Sequence, residues 1–254
     1  MAQFADFDAR GYPMVDVRTG YGQWVGSYEQ TVEDAMDLEV LARLAVPGWG
    51  SVERAADLGC GTGRTGAWLR AQGVGAVDGV DLTPEMLAVA RGKGAHDRLI
   101  EGDLAATGLP GEAYDLVISS LVDEHLADLA PLYREAFRLA GPGALFVLVG
   151  LHPHFIMAAG MPTHFDGADG SPIAITTHLH LVSDHLTAGL AAGWQLAEMR
   201  EELVGDRWIA LKPKWERHRH QPVSAAYVWR KPEQPRPADP SAAGDHALPG
   251  GAGR

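Results

Sequence analysis

The feature that most constrains this chain is the segment AADLGCGTGRTG, residues 55–66. It joins a β-rich run, Arg54–Leu58, to helix-type spacing of apolar residues over Arg64–Gln72. Glycines at 59, 61 and 63 allow the backbone to turn sharply and to approach a ligand with no Cβ in the way, at a helix N-terminus rich in free N–H donors. Residues 61–66 also satisfy G-x-G-x-x-G, so a nicotinamide or flavin dinucleotide, another nucleotide-bearing ligand and an unliganded βα turn are all open at this point. What the segment does fix is a strand–turn–helix unit, the opening of a parallel α/β fold.

The rest of the chain continues the alternation. Further β-rich runs fall at Ala76–Asp81, Arg98–Glu101, Tyr114–Ser119, Ala144–Gly150, Glu198–Val204 and Val223–Trp229, with helical spacing over Pro84–Arg91, Ala127–Leu139 and Ser183–Ala192. Seven strands between helices predict a doubly wound α/β sheet, mostly parallel. Two segments interrupt the pattern. Residues 1–50 carry an aromatic cluster (Tyr12, Tyr21, Trp24, Tyr28) and then a helical stretch, Val32–Ala45, and read as an N-terminal helical lid. Residues 151–182, after the fifth strand, hold five histidines, two aspartates and no Lys or Arg, and read as an insertion into the 51–230 domain. The Pro-, Ala- and Gly-dominated run 231–254 reads as a disordered tail.

Three carboxylates are predicted to meet at one edge of the sheet. Asp57 precedes the glycines, Asp81 ends the second strand 22 residues after Gly59, and Asp103 follows the third in EGDLAATGLP. In such a fold the carboxyl ends of the strands border the ligand crevice. Three negative charges there serve a pyrophosphate poorly and attract a ligand with a positive centre.

Glu53–Gly63, Val80–Asp81, Gly102–Leu104 and Tyr114–Ser120 resemble, in order and spacing, the successive motifs of class I S-adenosylmethionine-dependent methyltransferases, particularly the small-molecule branch with quinone and natural-product enzymes. The likeness spans about residues 20–230. It implies a Rossmann-like fold and S-adenosyl-L-methionine as cofactor. Gly59, Gly61 and Gly63 would pass its methionine and ribose, with Asp57 near the ammonium. Asp81 would take the ribose hydroxyls, with Leu82 beside the adenine. Asp103 would accept the adenine amino group, with the Leu104 amide facing the ring. Ser119 would stand where the methyl meets its acceptor, and Tyr21 and Tyr28 would cover the amino-acid end.

For the acceptor side the residues offer histidines: His125 after the fourth strand, His152 and His154 after the fifth, then His164, His178, His180 and His185. Methyl transfer is an in-line displacement dominated by positioning, and a base of near-neutral pKa helps when a hydroxyl is the acceptor. His125, His152, His154 and His180 are the candidates for that base. The H-x-H pairs could each give two metal ligands, but no third is fixed by spacing, so no metal is expected; His218 and His220 are assigned to an exposed basic loop. YDLVISS at 114–120 lacks the Asn/Asp-Pro-Pro-Tyr typical of enzymes that methylate nucleobase or glutamine amino groups. With a formal charge of 21 − 33 = −12, this argues against nucleic acid and for a small-molecule substrate. The expected reaction is O-methylation of an aromatic or polyketide-like metabolite. C- or N-methylation of an electron-rich ring such as an indole, or a non-methylating cyclase or pericyclase on the same fold, are the alternatives. A lone cysteine, Cys60, and no secretory or bilayer-spanning run point to a cytoplasmic protein, with a homodimer left open.

Overall fold

The computed structural model describes residues 3–233. In chain order it contains β1 (Met14–Val15), α1 (Val17–Thr31), α2 (Leu38–Ala42), β2 (Arg54–Leu58), α3 (Arg64–Ala71), β3 (Ala76–Asp81), α4 (Pro84–Lys93), β4 (Arg98–Glu101) and β5 (Tyr114–Ser120). Then follow α5 (Ala130–Leu139), β6 (Ala140–Leu151), α6 (Pro153–Ala159), β7 (His164–Asp166), β8 (Pro172–Ile175), α7 (Val182–Ala191), β9 (Gln195–Leu203), α8 (Asp206–Leu211) and β10 (Pro222–Arg230).

Seven strands form one sheet in the order β4-β3-β2-β5-β6-β10-β9. All neighbours pair in parallel except β10, which runs antiparallel to both β6 and β9. From β2 the chain winds outward through β3 and β4, and it then returns to the other side of β2 as β5. The order therefore reverses between β2 and β5, the place where a crevice opens beyond the strand ends. Period-two alternation gives the sheet two apolar faces. Leu116, Ile118, Val147 and Val149 pack with Leu41 of α2 and Leu69 of α3. Val117, Phe146 and Leu148 face the other way, against Leu132, Tyr133 and Ala136 of α5, with Leu186 of α7 packed on that cluster.

A second, three-stranded sheet in the order β1-β8-β7 joins the N-terminal segment to the 151–182 region. Met14 and Val15 pair in parallel with Ala174 and Ile175. Helix α1, capped by Asp16 accepting the Thr19 N–H at 3.0 Å, lies against this small sheet. Trp24 stacks on Phe165 with ring centroids 6.0 Å apart, and Gly20 leaves room for the Ile175 side chain.

Several sequence expectations shift. The N-terminal helix occupies 17–31, not 32–45. The latter stretch breaks into a 3₁₀ turn at Asp34–Met36 and the short α2, because Asp37 leaves helical geometry (φ −136°) and caps α2 by accepting the Leu38 N–H at 2.8 Å. Residues 151–182 contain α6, β7 and β8. β6 starts at Ala140, directly after α5, and α8 with the turn Pro213–His218 forms a unit built on the stacked Trp208 and Trp215, 4.5 Å apart. His218 is buried there, its Nδ1 2.9 Å from Gln221 Oε1, not on an exposed loop. Lys231, the first residue assigned to the tail, is also buried, its ammonium donating to the Ala140 and Phe137 carbonyls at 2.8 and 3.0 Å. Residues 234–254 of that assignment lie outside the described residues. Among the described residues no helix is long and apolar enough to cross a membrane.

Candidate active site

The glycine turn sits at the strand-order reversal. Gly59, Gly61 and Gly63 all have positive φ (74°, 50° and 83°). At Gly59 space is as decisive as conformation: a Cβ there would lie 2.4 Å from Val122 Cγ2, in the loop after β5. Asp81, at the end of β3, ties the turn down. Its Oδ2 accepts the Gly61 N–H at 2.8 Å and its Oδ1 the Thr83 N–H at 2.8 Å, which shapes the start of α4 in place of a Thr83 side-chain cap. Burial pushes the Asp81 carboxyl above the usual range despite these bonds.

A cavity of about 200 Å³ opens beside the turn. Of the residues singled out in the sequence, Gly59, Gly61, Asp81, Leu82, Asp103, Leu104, Tyr21, Tyr28 and His125 line it, joined by Val17, Met86, Leu121 and Leu126. Asp81 and Asp103 are the only formally charged side chains among the described residues of its wall.

Six candidates lie elsewhere. Asp57 is buried with its Oδ2 3.0 Å from His96 Nε2, so its carboxylate is engaged behind the turn. Gly63 caps α3 and faces Ala90 and His96. Ser119 is enclosed in the sheet between Leu58 and Leu148; the alternation of β5 brings Ser120 to the cavity instead. His152 caps α6, its Nδ1 accepting the His154 N–H at 3.1 Å and its Nε2 2.9 Å from Glu201. His154 is exposed, and His180 Nε2 donates to the Leu126 carbonyl at 2.7 Å.

Next to the main cavity, and sharing Tyr28, Gly59, Gly61, Ser120 and Leu121 with it, is a small polar recess that adds Asp37, Thr62 and Arg64. Asp37 accepts from Arg64 Nη2 at 2.9 Å and from the Ser120 hydroxyl at 3.0 Å. Burial raises its carboxyl and Arg64 opposes that rise. A cation and an anion together in a recess beside a glycine turn match an α-amino acid zwitterion. Sequence reasoning missed both residues. Arg64 was legible as the residue following the glycines; Asp37 was hidden inside a supposed helix.

His125 lies in a 3₁₀ turn (Asp123–His125) just beyond β5. Its Nδ1 is 2.7 Å from the Thr176 carbonyl oxygen, which can only accept, so Nδ1 carries the hydrogen. Nε2 is then an acceptor, and the Tyr21 hydroxyl donates to it at 2.8 Å. Burial lowers the imidazole to about 4, and it stays neutral near pH 7. Behind it Glu124, with Oε1 3.8 Å from His125 Nε2, is pushed up to about 8 by burial and by neighbouring Asp123. Tyr21 and Tyr28 are both raised, again by burial first.

The arrangement matches known proteins. Residues 56–148 fit the family model described as a methyltransferase domain. Over 134 residues the chain is 34% identical to malonyl-acyl-carrier-protein O-methyltransferase from Serratia marcescens, an alignment covering 52% of this chain and 51% of that protein. The chain thus spans about half the length of this curated relative. A solved S-adenosylmethionine-dependent methyltransferase from Mesorhizobium loti superposes with a TM-score of 0.62 at 28% identity, covering 78% of this chain and 98% of that one. The cyclase SpnF shares the fold, at TM-score 0.61, 18% identity and coverage of 89% and 100%. The sheet order, the glycine turn and these matches agree on a methyltransferase domain over residues 56–148. The seven-stranded sheet is the Rossmann-like one expected from the sequence, shared with the solved S-adenosylmethionine-dependent methyltransferase.

Proposed function

We propose that this protein is an enzyme that methylates a hydroxyl of a small, uncharged aromatic or polyketide-like metabolite, using S-adenosyl-L-methionine, in the cytoplasm. One observation carries the reading: a single cavity is lined both by Asp81, Asp103 and the glycine turn and by a neutral histidine with an accepting Nε2.

The residues present fit the cofactor. Gly59 and Gly61 leave the backbone bare for close approach, Asp81 suits the ribose hydroxyls, and Asp103 suits the adenine amino group between Leu82, Leu104 and Met86. Asp37 and Arg64 suit the ammonium and carboxylate, replacing Asp57 in the role the family likeness implied. When bound, the cofactor supplies a methyl group on a cationic sulfur. The chain's residues do the rest by holding and deprotonating the acceptor. The acceptor hydroxyl donates to the Tyr21 oxygen, whose own proton passes to His125 Nε2, the nitrogen kept as an acceptor by the Thr176 carbonyl, and the imidazolium so formed lies beside the Glu124 carboxyl, which can then ionise. The Tyr21 hydroxyl donates to this nitrogen at 2.8 Å, which supports Tyr21 as the group between His125 and the acceptor.

With no Lys or Arg among the described wall residues, nothing there would neutralise an acceptor carboxylate or phosphate, and this favours an uncharged acceptor. Incubation with methyl-labelled cofactor and a panel of phenols and carboxylic acids tests the proposal. Label appearing in a phenol, and sharply less with His125→Gln, is the expected result. Label on carbon or nitrogen selects the alternative acceptors. Turnover of a substrate without cofactor consumption supports a cyclase and removes methyl transfer.

A further inference from the structure

His96 belongs to none of the motifs, yet its ring fills a slot walled by glycines behind the glycine turn. It follows α4 and its side chain is fully buried. Its Nε2–H donates to Asp57 Oδ2 at 3.0 Å, while its Nδ1 is buried with no hydrogen-bond partner. Three glycines make room for the ring. A Cβ at Gly66 would lie 2.3 Å from Cε1 and 2.4 Å from Nε2, one at Gly79 2.7 Å from Cδ2, and one at Gly63 3.2 Å from Cε1. These glycines come from the first turn of α3, the middle of β3 and the α3 cap.

Core filling does not account for this. An aliphatic side chain would leave no orphaned nitrogen, and an alanine at 66 would suit a helix better than glycine. What the imidazole gains is Asp57, the penultimate residue of β2, two residues ahead of Gly59. Asp81 holds the turn directly, through the Gly61 N–H on the cavity side, while Asp57, at the strand end that leads into the turn, is engaged by His96 behind it.

We infer that His96 is a positioning residue: by fixing Asp57 within a glycine-walled slot beneath α3, it keeps the Gly59–Gly63 turn in the shape that receives the cofactor. The inference rests on the cofactor reading above. It is tested by calorimetric titration of the full chain with S-adenosylhomocysteine, alongside thermal melts. His96→Leu fills the slot without a donor and should weaken binding about ten-fold while keeping a cooperative melt. His96→Gln, which can still donate, should bind within about three-fold of the parent, and Gly66→Ala, which drives the ring from its slot, should weaken binding as His96→Leu does. Parent-like affinity in His96→Leu, or equal losses in His96→Leu and His96→Gln, overturns the inference. If His96→Leu does not fold, Gly66→Ala decides: weakened binding beside a near-normal His96→Gln supports it, and normal binding overturns it. No binding by the parent chain itself would instead remove the cofactor reading, and this inference with it.

Discussion

Gly59→Ala is the substitution whose cost can be worked most directly from the structure. Two separable effects act. A non-glycine residue at φ 74° costs about 1–2 kcal/mol for the left-handed conformation. The new Cβ also falls 2.4 Å from Val122 Cγ2, where something must shift, and overpacking of this kind costs ~1–3 kcal/mol. Together they give roughly 2–5 kcal/mol, towards the lower end because Val122 borders the cavity and has space to move. Urea unfolding at constant m-value reads the loss as a fall in midpoint. The steric part can be isolated: Val122→Ala removes the clashing methyls, so the double variant should fall short of the additive sum by about 1–3 kcal/mol, leaving the backbone cost alone. A destabilisation below about 0.5 kcal/mol for Gly59→Ala, or strict additivity in the double variant, would refute the claim that the two strand ends meet this tightly.

Glu124 gives a pH test with a defined sign. Its folded-state value near 8 lies above its ordinary 4.5, so the folded protein holds an extra proton over that interval and loses stability as pH rises through it. His125, depressed from 6.5 to about 4, acts oppositely, contributing stability above 6.5 that is lost as pH falls towards 4. The two offset each other between 4.5 and 6.5, and above 6.5 the glutamate slope stands alone; melts across pH 6.5–8 should fall for the parent and flatten for Glu124→Gln. Asp81→Ala should weaken S-adenosylhomocysteine binding by ~1–3 kcal/mol in calorimetry, and unchanged affinity would remove Asp81 from the cofactor site. Truncation after Glu233 should leave methyl transfer at the parent rate, so a large loss would assign residues 234–254 a role. Chelator treatment should leave activity unchanged, and inactivation reversed by Mg²⁺ or Zn²⁺ would show a metal requirement.

The main sheet was legible because its strands obey strong local rules. Arg54–Leu58, Ala76–Asp81 and Arg98–Glu101 are short β-rich runs bounded by glycine turns or a Thr-Pro helix start, and their ends fall where the pattern placed them. Helix α1 was not legible, since three glycines in fifteen residues argue against a helix and it is the packing of Trp24 and Gly20 on Phe165 and Ile175 that supports it. The cavity wall followed from the motifs at Asp81, Leu82, Asp103 and Leu104. Where single side chains point was harder to read: Ser119 and Ser120 differ by one step of the pleat, and Asp57 is turned away by a histidine 39 residues on. Histidine count likewise did not reveal function. Of the four base candidates, three satisfy local capping or carbonyl contacts or face solvent, and His125 alone borders the cavity.

The two-residue ladder between β1 and β8 has a consequence for engineering. The loop that supplies Thr176 to His125 and the helix that supplies Tyr21 share a single hydrophobic seam, so neither is a module that can be grafted alone. A chimera importing residues 151–182 from another enzyme would strand Trp24 without Phe165 and deprive Val15 of its ladder partner. Transplants of acceptor preference onto this scaffold should therefore exchange residues 12–31 in the same step.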